Sequence, residues 1–380
     1  MFYQLPPAGN RIDCRVQRGD KDRIADFFPA DVHFFNSGAA SLAAAVLAVV
    51  QHSGLEHPEV LLPAYACPEL VSAVLYAGAR PVLVDFAVDR PWMDLSVMAE
   101  KLTLQTCAVI AVNLFGIPER LGDIREVLQG RSIWLIEDSA QAFPEKESSY
   151  IERGDLTIYS FGRGKPVSVF GGGAVLAWNA EIGERVARIH NDVGQDESHR
   201  WVSRLKIEVY NHLISPRLYW LPDMLPFIQL GTTIYHPLSA IKQMDKFELD
   251  LLGKNIEEYW LRNRVAQNAL MSRIADSGND AVIDLARVSC KEMMPRLLRY
   301  PLLARTPELR DELCERFNRK GLGVSKMYPT TLQKINGLES QFSTSDVTPS
   351  AESFSQRIFT LPVHGEVRGK DISEMLRVIG

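Results

Sequence analysis

Lys165 sits in a glycine-rich loop, Tyr159-Ser160-Phe161-Gly162-Arg163-Gly164-Lys165-Pro166, followed by Phe170-Gly171-Gly172-Gly173-Ala174. The loop follows an apolar run, Leu156 to Phe161, and carries no acidic residue beside the lysine. An acidic pair, Glu137-Asp138, closes an earlier apolar run, Ile133-Trp134-Leu135-Ile136. Three chemistries use a lysine in a glycine-rich loop. A P-loop needs a glycine five positions before the Gly-Lys pair and Ser or Thr after it. Here Tyr159 and Pro166 stand in those places. A dinucleotide fingerprint needs a third glycine and a helix start. Gly162-x-Gly164 lacks that glycine and runs into Pro166. The third is pyridoxal 5'-phosphate, whose aldehyde condenses with a lysine amine while an acidic residue faces the pyridine nitrogen. Lys165 and Asp138 are the candidates. A carboxylate there raises the pKa of the ring nitrogen by favouring its cation. Alone, each residue has an ordinary explanation, a solvated loop lysine and a helix-capping aspartate.

The phosphate of such a cofactor needs N–H groups and hydroxyls. The strand candidate His33-Phe34-Phe35 ends at Asn36-Ser37-Gly38, and a helix follows from about Ala39 to Gln51. A helix N-terminus presents free N–H groups and a positive dipole end, which suits an anion. Ser37 as a simple cap is the other reading. Ser160 offers a second hydroxyl.

The elements that would position these residues repeat one rhythm. Strands are expected at 59–62, 81–85, 108–112, 133–136, 156–161 and 174–178, the last two as a hairpin around the loop. Helices are expected at 68–77, 95–102 and 119–128. Continuous apolar strands alternating with helices mean an α/β fold with a mainly parallel sheet covered on both faces. Ligands of such sheets collect beyond the strand carboxyl ends. Asn36-Ser37, Ala64-Tyr65, Asn113, Asp138 and Lys165 all follow such ends.

Beyond residue 180 the character changes. Trp201, Leu205, Val209 and Leu213 share one helical stripe, and an aromatic, proline-rich stretch follows from Pro216 to Phe227. The stripe reads as packing on this chain or a second subunit, or as a helix lying on a membrane through 200–228. A long helix from Ser239 to Ala275 reads as a connector. A smaller α/β unit then follows: a strand at 296–303, a helix at 307–320, a strand into Tyr328-Pro329, and a strand-turn-helix at 358–379. The division is a large cofactor-binding domain, 1–238, with an atypical aromatic segment at 195–235, and a connector helix with a small C-terminal domain, 239–380.

The chain has 380 residues, 46% of them hydrophobic and 23% charged, and a net charge of −5. That composition fits an ordinary globular protein and excludes the basic excess that nucleic acid demands. Five scattered cysteines, with no Cys-x-x-Cys pair, point away from a disulfide framework or a zinc site and towards a reducing cytoplasm. No signal peptide and no membrane span are expected.

In this order, several pieces resemble the DegT/DnrJ/StrS-type aminotransferases, pyridoxal-phosphate enzymes of the aspartate aminotransferase fold. They are Asn36-Ser37-Gly38-Ala39-Ala40-Ser41-Leu42, Leu62-Pro63-Ala64-Tyr65, Ala77-Gly78-Ala79-Arg80-Pro81-Val82-Leu83-Val84-Asp85 and Val112-Asn113-Leu114-Phe115-Gly116. Then come Ile136-Glu137-Asp138-Ser139-Ala140-Gln141-Ala142, Gly154-Asp155, Ser160-Phe161-x3-Lys165, Gly172-Gly173-Ala174, Tyr328-Pro329 and Leu361-Pro362-Val363-His364. The resemblance implies fold type I, with a mainly parallel seven-stranded sheet. It implies that Lys165 holds the cofactor and shifts the proton, and that Asp138 pairs with the ring nitrogen. Gln141 would lie against the ring, and Ser160 with the backbone at Gly38, Ala39 and Ala40 would bind phosphate. It further implies a homodimer that aminates keto-sugars linked to nucleotides, with glutamate or glutamine as donor, in polysaccharide or secondary-metabolite assembly. Three positions depart from the pattern. Ala39 replaces a frequent threonine. Cys67 replaces an aromatic that stacks on the cofactor, with Tyr65 the other candidate for that contact. Gly231-Thr232-Thr233-Ile234-Tyr235 lacks the Asn and Arg of the loop that enters a neighbouring subunit's site. A lysine at 165 argues against the sugar dehydratase branch, where histidine stands there. A non-catalytic relative, or a peripheral membrane protein, are the alternatives.

Overall fold

The computed structural model describes residues 3–15, 24, 26–146, 152–197, 199–221, 233–277, 280–290, 294–343 and 346–380. Its centre is a seven-stranded sheet of β1 (Asp31–Phe35), β2 (Glu59–Pro63), β3 (Arg80–Val84), β4 (Thr106–Val112), β5 (Trp134–Asp138), β6 (Leu156–Ser160) and β7 (Gly173–Ala177). The strand order is β1-β7-β6-β5-β4-β2-β3. β7 runs antiparallel to both of its neighbours, and the pairings among β2 to β6 are parallel. The expected mainly parallel sheet and the β6/β7 hairpin are therefore both present.

The strands are buried because helices cover both faces. Every residue of β2, β4 and β7 is buried. α1 (Gly38–Ser53) packs its alanine-rich face on one side of the sheet. α2 (Glu69–Tyr76) and α5 (Ala180–Asp192) flank it. α3 (Leu95–Lys101) and α4 (Leu121–Leu128) close a separate apolar cluster on the opposite face. α1 starts where Ser37 Oγ accepts from Ala40 N–H at 3.0 Å, and it stops at Gly54, whose φ of 63° suits glycine.

In α6 (Arg200–Leu213) the apolar stripe is not covered by the described residues of this chain, which was one of the readings its sequence allowed. Trp201, Leu205 and Val209 are exposed, whereas Ser203 and Ile207 are buried. The helix docks through Ile207 and Tyr210 on a cluster built with the later helix α7 (Lys246–Leu261). The expected connector at 239–275 is broken. It is α7 followed by α8 (Val265–Ser277). Arg262 leaves the helix at ψ 136°, and Asn263 Oδ1 accepts from Val265 N–H, so side-chain capping competes with helix continuation. Arg262 then donates to Pro166 O, and Arg264 pairs with Glu145.

The C-terminal sheet has the order β10-β9-β8, built from β8 (Val282–Asp284), β9 (Arg299–Ala304) and β10 (Ile358–Pro362) in antiparallel pairs. α9 (Leu285–Ser289), α10 (Pro307–Arg319), α11 (Pro349–Arg357) and α12 (Gly369–Ile379) complete this unit. β9 starts at Arg299 instead of 296, because Leu298 N–H is spent on Phe115 O and Arg296 turns to Glu145. No strand forms into Tyr328-Pro329. Only Ser325 bridges Thr360, and Met327 at φ 56° turns the chain away. That turn brings Tyr328 to Gln141. The aromatic stretch from 222 and Gly231-Thr232 lie outside the described residues. Among the described residues, no helix is long and apolar enough to cross a membrane, and no cluster of three His, Cys, Asp or Glu could hold a metal.

Candidate active site

Successive strand residues face opposite sides of a sheet, and β5 ends on two acids. Glu137 turns into a polar knot. Its carboxylate accepts from Asn113 Nδ2 at 2.8 Å, from Ser139 Oγ at 3.1 Å and from Thr157 Oγ1 at 3.0 Å. Asp138 therefore faces the other way, between Val112 and Ile158 of the adjacent strands. Its Oδ1 accepts from Ala140 N–H at 2.8 Å. Burial pushes the Asp138 carboxyl above its usual range, opposed by the Ala140 N–H and the charge of Lys165.

Asp138 lines a small cavity at the strand carboxyl ends, together with Gly38, Ala39, Cys67, Gln141, Ser160 and Lys165. Seven of the nine site residues expected from sequence thus meet in one place. The other two lie elsewhere. Ala40 is fully buried, and its N–H is taken by Ser37 Oγ. Tyr65 is fully buried against Phe86 and Phe354, and its hydroxyl donates to Tyr328 O at 3.1 Å. It is a pillar under Tyr328 and does not reach the cavity. Asn113, at the end of β4, belongs to the Glu137 knot.

Tyr328, Glu69 and Leu42 also line the cavity. Sequence reasoning assigned them no role. Tyr328 stood only within a motif, and nothing local reveals that the turn at Met327 brings it to Gln141. Gln141 links Phe115 to Tyr328. Its Oε1 accepts from Phe115 N–H at 3.0 Å, and its Nε2 donates to Tyr328 Oη at 3.2 Å. Cys67 is half-buried with its thiol pushed up to about 12 by burial, so it stays a neutral apolar wall.

The residues suit a pyridoxal phosphate group. The first-turn N–H groups of Gly38 and Ala39 have no acceptor within α1. A β-carbon on Gly38 would lie 2.6 Å from Ser160 Oγ, so glycine alone lets that hydroxyl reach the helix start. N–H groups, a hydroxyl and a dipole end converge there, as a phosphate requires. Lys165 and Asp138 stand in the same cavity, an amine for the aldehyde and a carboxylate for the ring nitrogen. No ion pair engages Lys165 among the described residues.

Residues 30–211 and 254–379 match the DegT/DnrJ/EryC1/StrS aminotransferase family. The chain belongs to this family. The family is pyridoxal-phosphate-dependent, and the fold here is the fold type I of its members. Over 152 residues the chain is 31% identical to a GDP-perosamine synthase of Escherichia coli O157:H7, a match covering 40% of this chain and 41% of that enzyme. The chain thus spans less than half the length of that relative. A longer match, 24% identical over 308 residues, joins it to a dTDP-3-amino-3,4,6-trideoxy-alpha-D-glucose transaminase of Streptomyces venezuelae, covering 80% and 71%. A sugar aminotransferase of Micromonospora echinospora superposes with a TM-score of 0.72 at 18% identity, covering 99% of both chains. The family match leaves out residues 212–253, which overlap the atypical segment 195–235.

Proposed function

We propose that the chain is a pyridoxal-phosphate-dependent aminotransferase that moves an amino group from an amino acid, glutamate or glutamine, to a nucleotide-linked keto-sugar. The reading includes a homodimer in a reducing cytoplasm, a large cofactor-binding domain over 1–238, and a role in polysaccharide or secondary-metabolite assembly. One observation carries it. Lys165, Asp138, Ser160 and the start of α1 converge on one cavity at the carboxyl ends of a parallel sheet.

Bound there, the cofactor supplies an electron sink for substrate carbanion charge. The chain supplies the rest. Lys165 Nζ takes the proton from one carbon and returns it to another. Asp138 holds the positive charge opposite it, and burial strengthens that attraction. Ser160 Oγ and the Gly38 and Ala39 N–H groups anchor the phosphate. Gln141, fixed between Phe115 and Tyr328, positions the ring. Cys67 offers an apolar surface where an aromatic would stack.

The test is a visible absorption spectrum of the purified protein with added cofactor. A band that borohydride abolishes, and that Lys165→Ala lacks, supports the reading. A colourless protein that cannot be loaded overturns it. Amino transfer from glutamate to a panel of nucleotide-linked keto-sugars then tests the acceptor.

A further inference from the structure

A broad groove lies near the cofactor cavity, joined to it by two stretches of chain. Arg163 and Gly164 line the groove, and the next residue, Lys165, lines the cavity. Val324 and Ser325 line the groove, and Tyr328, just beyond them, lines the cavity. Tyr328 of the cavity also acts on Arg299 of the groove, so the two spaces are neighbours. Among the described residues, its lining holds three cations, Arg163, Lys206 and Arg299, and no Asp or Glu. The rest is largely apolar and aromatic, with Phe170, Tyr210 and Tyr219 joined by Leu205 and Val209 of the exposed α6 stripe.

Arg299 is the distinctive member. Its Nε is buried and has no hydrogen-bond partner. No ion pair reaches its guanidinium among the described residues. Other arginines of this unit are satisfied: Arg296 by Glu145 and Arg262 O, and Arg310 by Asp311. Tyr328, Tyr219 and Tyr65 act on Arg299, none of them a carboxylate, and burial pulls the guanidinium below its usual range. Withdrawing a cation from water without a counter-charge costs folding free energy. A groove that keeps such a cation next to a reactive lysine is arranged for an incoming anion.

We propose that Arg299 is the anion receptor of this groove and holds the carboxylate or phosphate of a substrate, with Arg163 and Lys206 supporting it. Its planar fork suits either group through paired N–H contacts. The aromatic and apolar wall receives the ring or carbon body that carries the anion. The proposal rests on the aminotransferase reading. The amino donor brings a carboxylate, and the nucleotide-linked acceptor brings phosphate.

The experiment is isothermal titration of the purified protein, with cofactor added, against inorganic pyrophosphate and, separately, against glutarate, a dicarboxylate that carries no amino group. Arg299→Gln is expected to weaken at least one probe by about tenfold or more, the loss of a charge-assisted contact. Arg299→Lys should recover part of it. Arg204→Gln, on α6 outside the groove and paired with Glu208, should bind as the wild type does. A loss confined to glutarate assigns Arg299 to the donor, and one confined to pyrophosphate assigns it to the acceptor. Wild type that binds neither probe, or Arg299→Gln that binds both as tightly as wild type, overturns the proposal. If Arg299→Gln does not fold, Lys206→Gln, exposed in the same groove, should weaken binding by about threefold, and unchanged affinity overturns it. The cofactor band in the same samples separates the two readings. A coloured protein with unaltered anion affinity removes the receptor alone. A colourless protein whose anion binding still depends on Arg299 removes the cofactor alone.

Discussion

Ser160 stands against Gly38 so closely that a β-carbon on the glycine would lie 2.6 Å from both Cβ and Oγ of the serine. The two residues come from the end of β6 and the start of α1, far apart in the chain. Their contact brings a hydroxyl to a helix N-terminus, the phosphate end of the proposed site.

Gly38→Ala should break this contact. Overpacking of about 1–3 kcal/mol will push Ser160 aside. Cofactor affinity, read from the visible band during titration, should fall by about tenfold. Ser160→Gly in the same chain should restore thermal stability and leave the affinity low. Restored affinity would show that the hydroxyl is not a phosphate ligand.

Ala39→Thr should act in the opposite direction. It adds a hydroxyl at the open first turn, where an anion gains from each further donor. Cofactor affinity should rise by about threefold to tenfold, with little change in turnover, when titrated alongside wild type.

Asp138→Asn removes the charge and leaves the shape. Cofactor should still bind, because the phosphate end is untouched. Turnover should fall by about a hundredfold, in line with about 2–3 kcal/mol for a charged contact in a buried site. Rates measured at saturating cofactor check it.

Glu248 gives the stability a pH dependence. Burial, with Asp245 and Asp196 adding and Lys206 opposing, pushes its carboxyl from 4.5 to about 8. The folded chain therefore keeps a proton that the unfolded chain has lost. Stability falls as pH rises through that interval, and the loss is complete above about pH 8. Glu248→Gln should melt higher than wild type near pH 9, by about 2 °C or more, and equal it near pH 5. Burial pushes Glu119 up to about 7 with the same sign, so the comparison must be made between the two proteins and not along one curve.

Much of the seven-stranded sheet was legible because its strands are uninterrupted apolar runs with chemistry at their ends. Lys165, Asp138, Ser160 and Gly38 needed only that pattern. Ala40 and Tyr65 do not line the cavity, for a different reason. A motif gives neighbours in sequence, and only packing decides which of them faces the ligand. The α7/α8 break escaped because residues 239–275 have good helical propensity throughout, and one Asn263 cap outweighs it. Tyr328 and Arg299 were invisible as site residues because their roles depend on docking of the C-terminal sheet, a long-range event with no local signature. The α6 stripe was left to this chain, a second subunit or a membrane, because helical periodicity reports one apolar face without reporting what covers it.

The alternation at the end of β5 has a further consequence. Glu137 and Asp138 differ in chemistry by one methylene, yet one is locked in the polar knot and the other faces the cavity. Removing or adding a single residue between Trp134 and Asp138 would exchange their faces and send the wrong acid to the cofactor. This strand can therefore drift by substitution over evolutionary time, but its reading length is frozen, and insertions and deletions in the surrounding sequence must fall outside it.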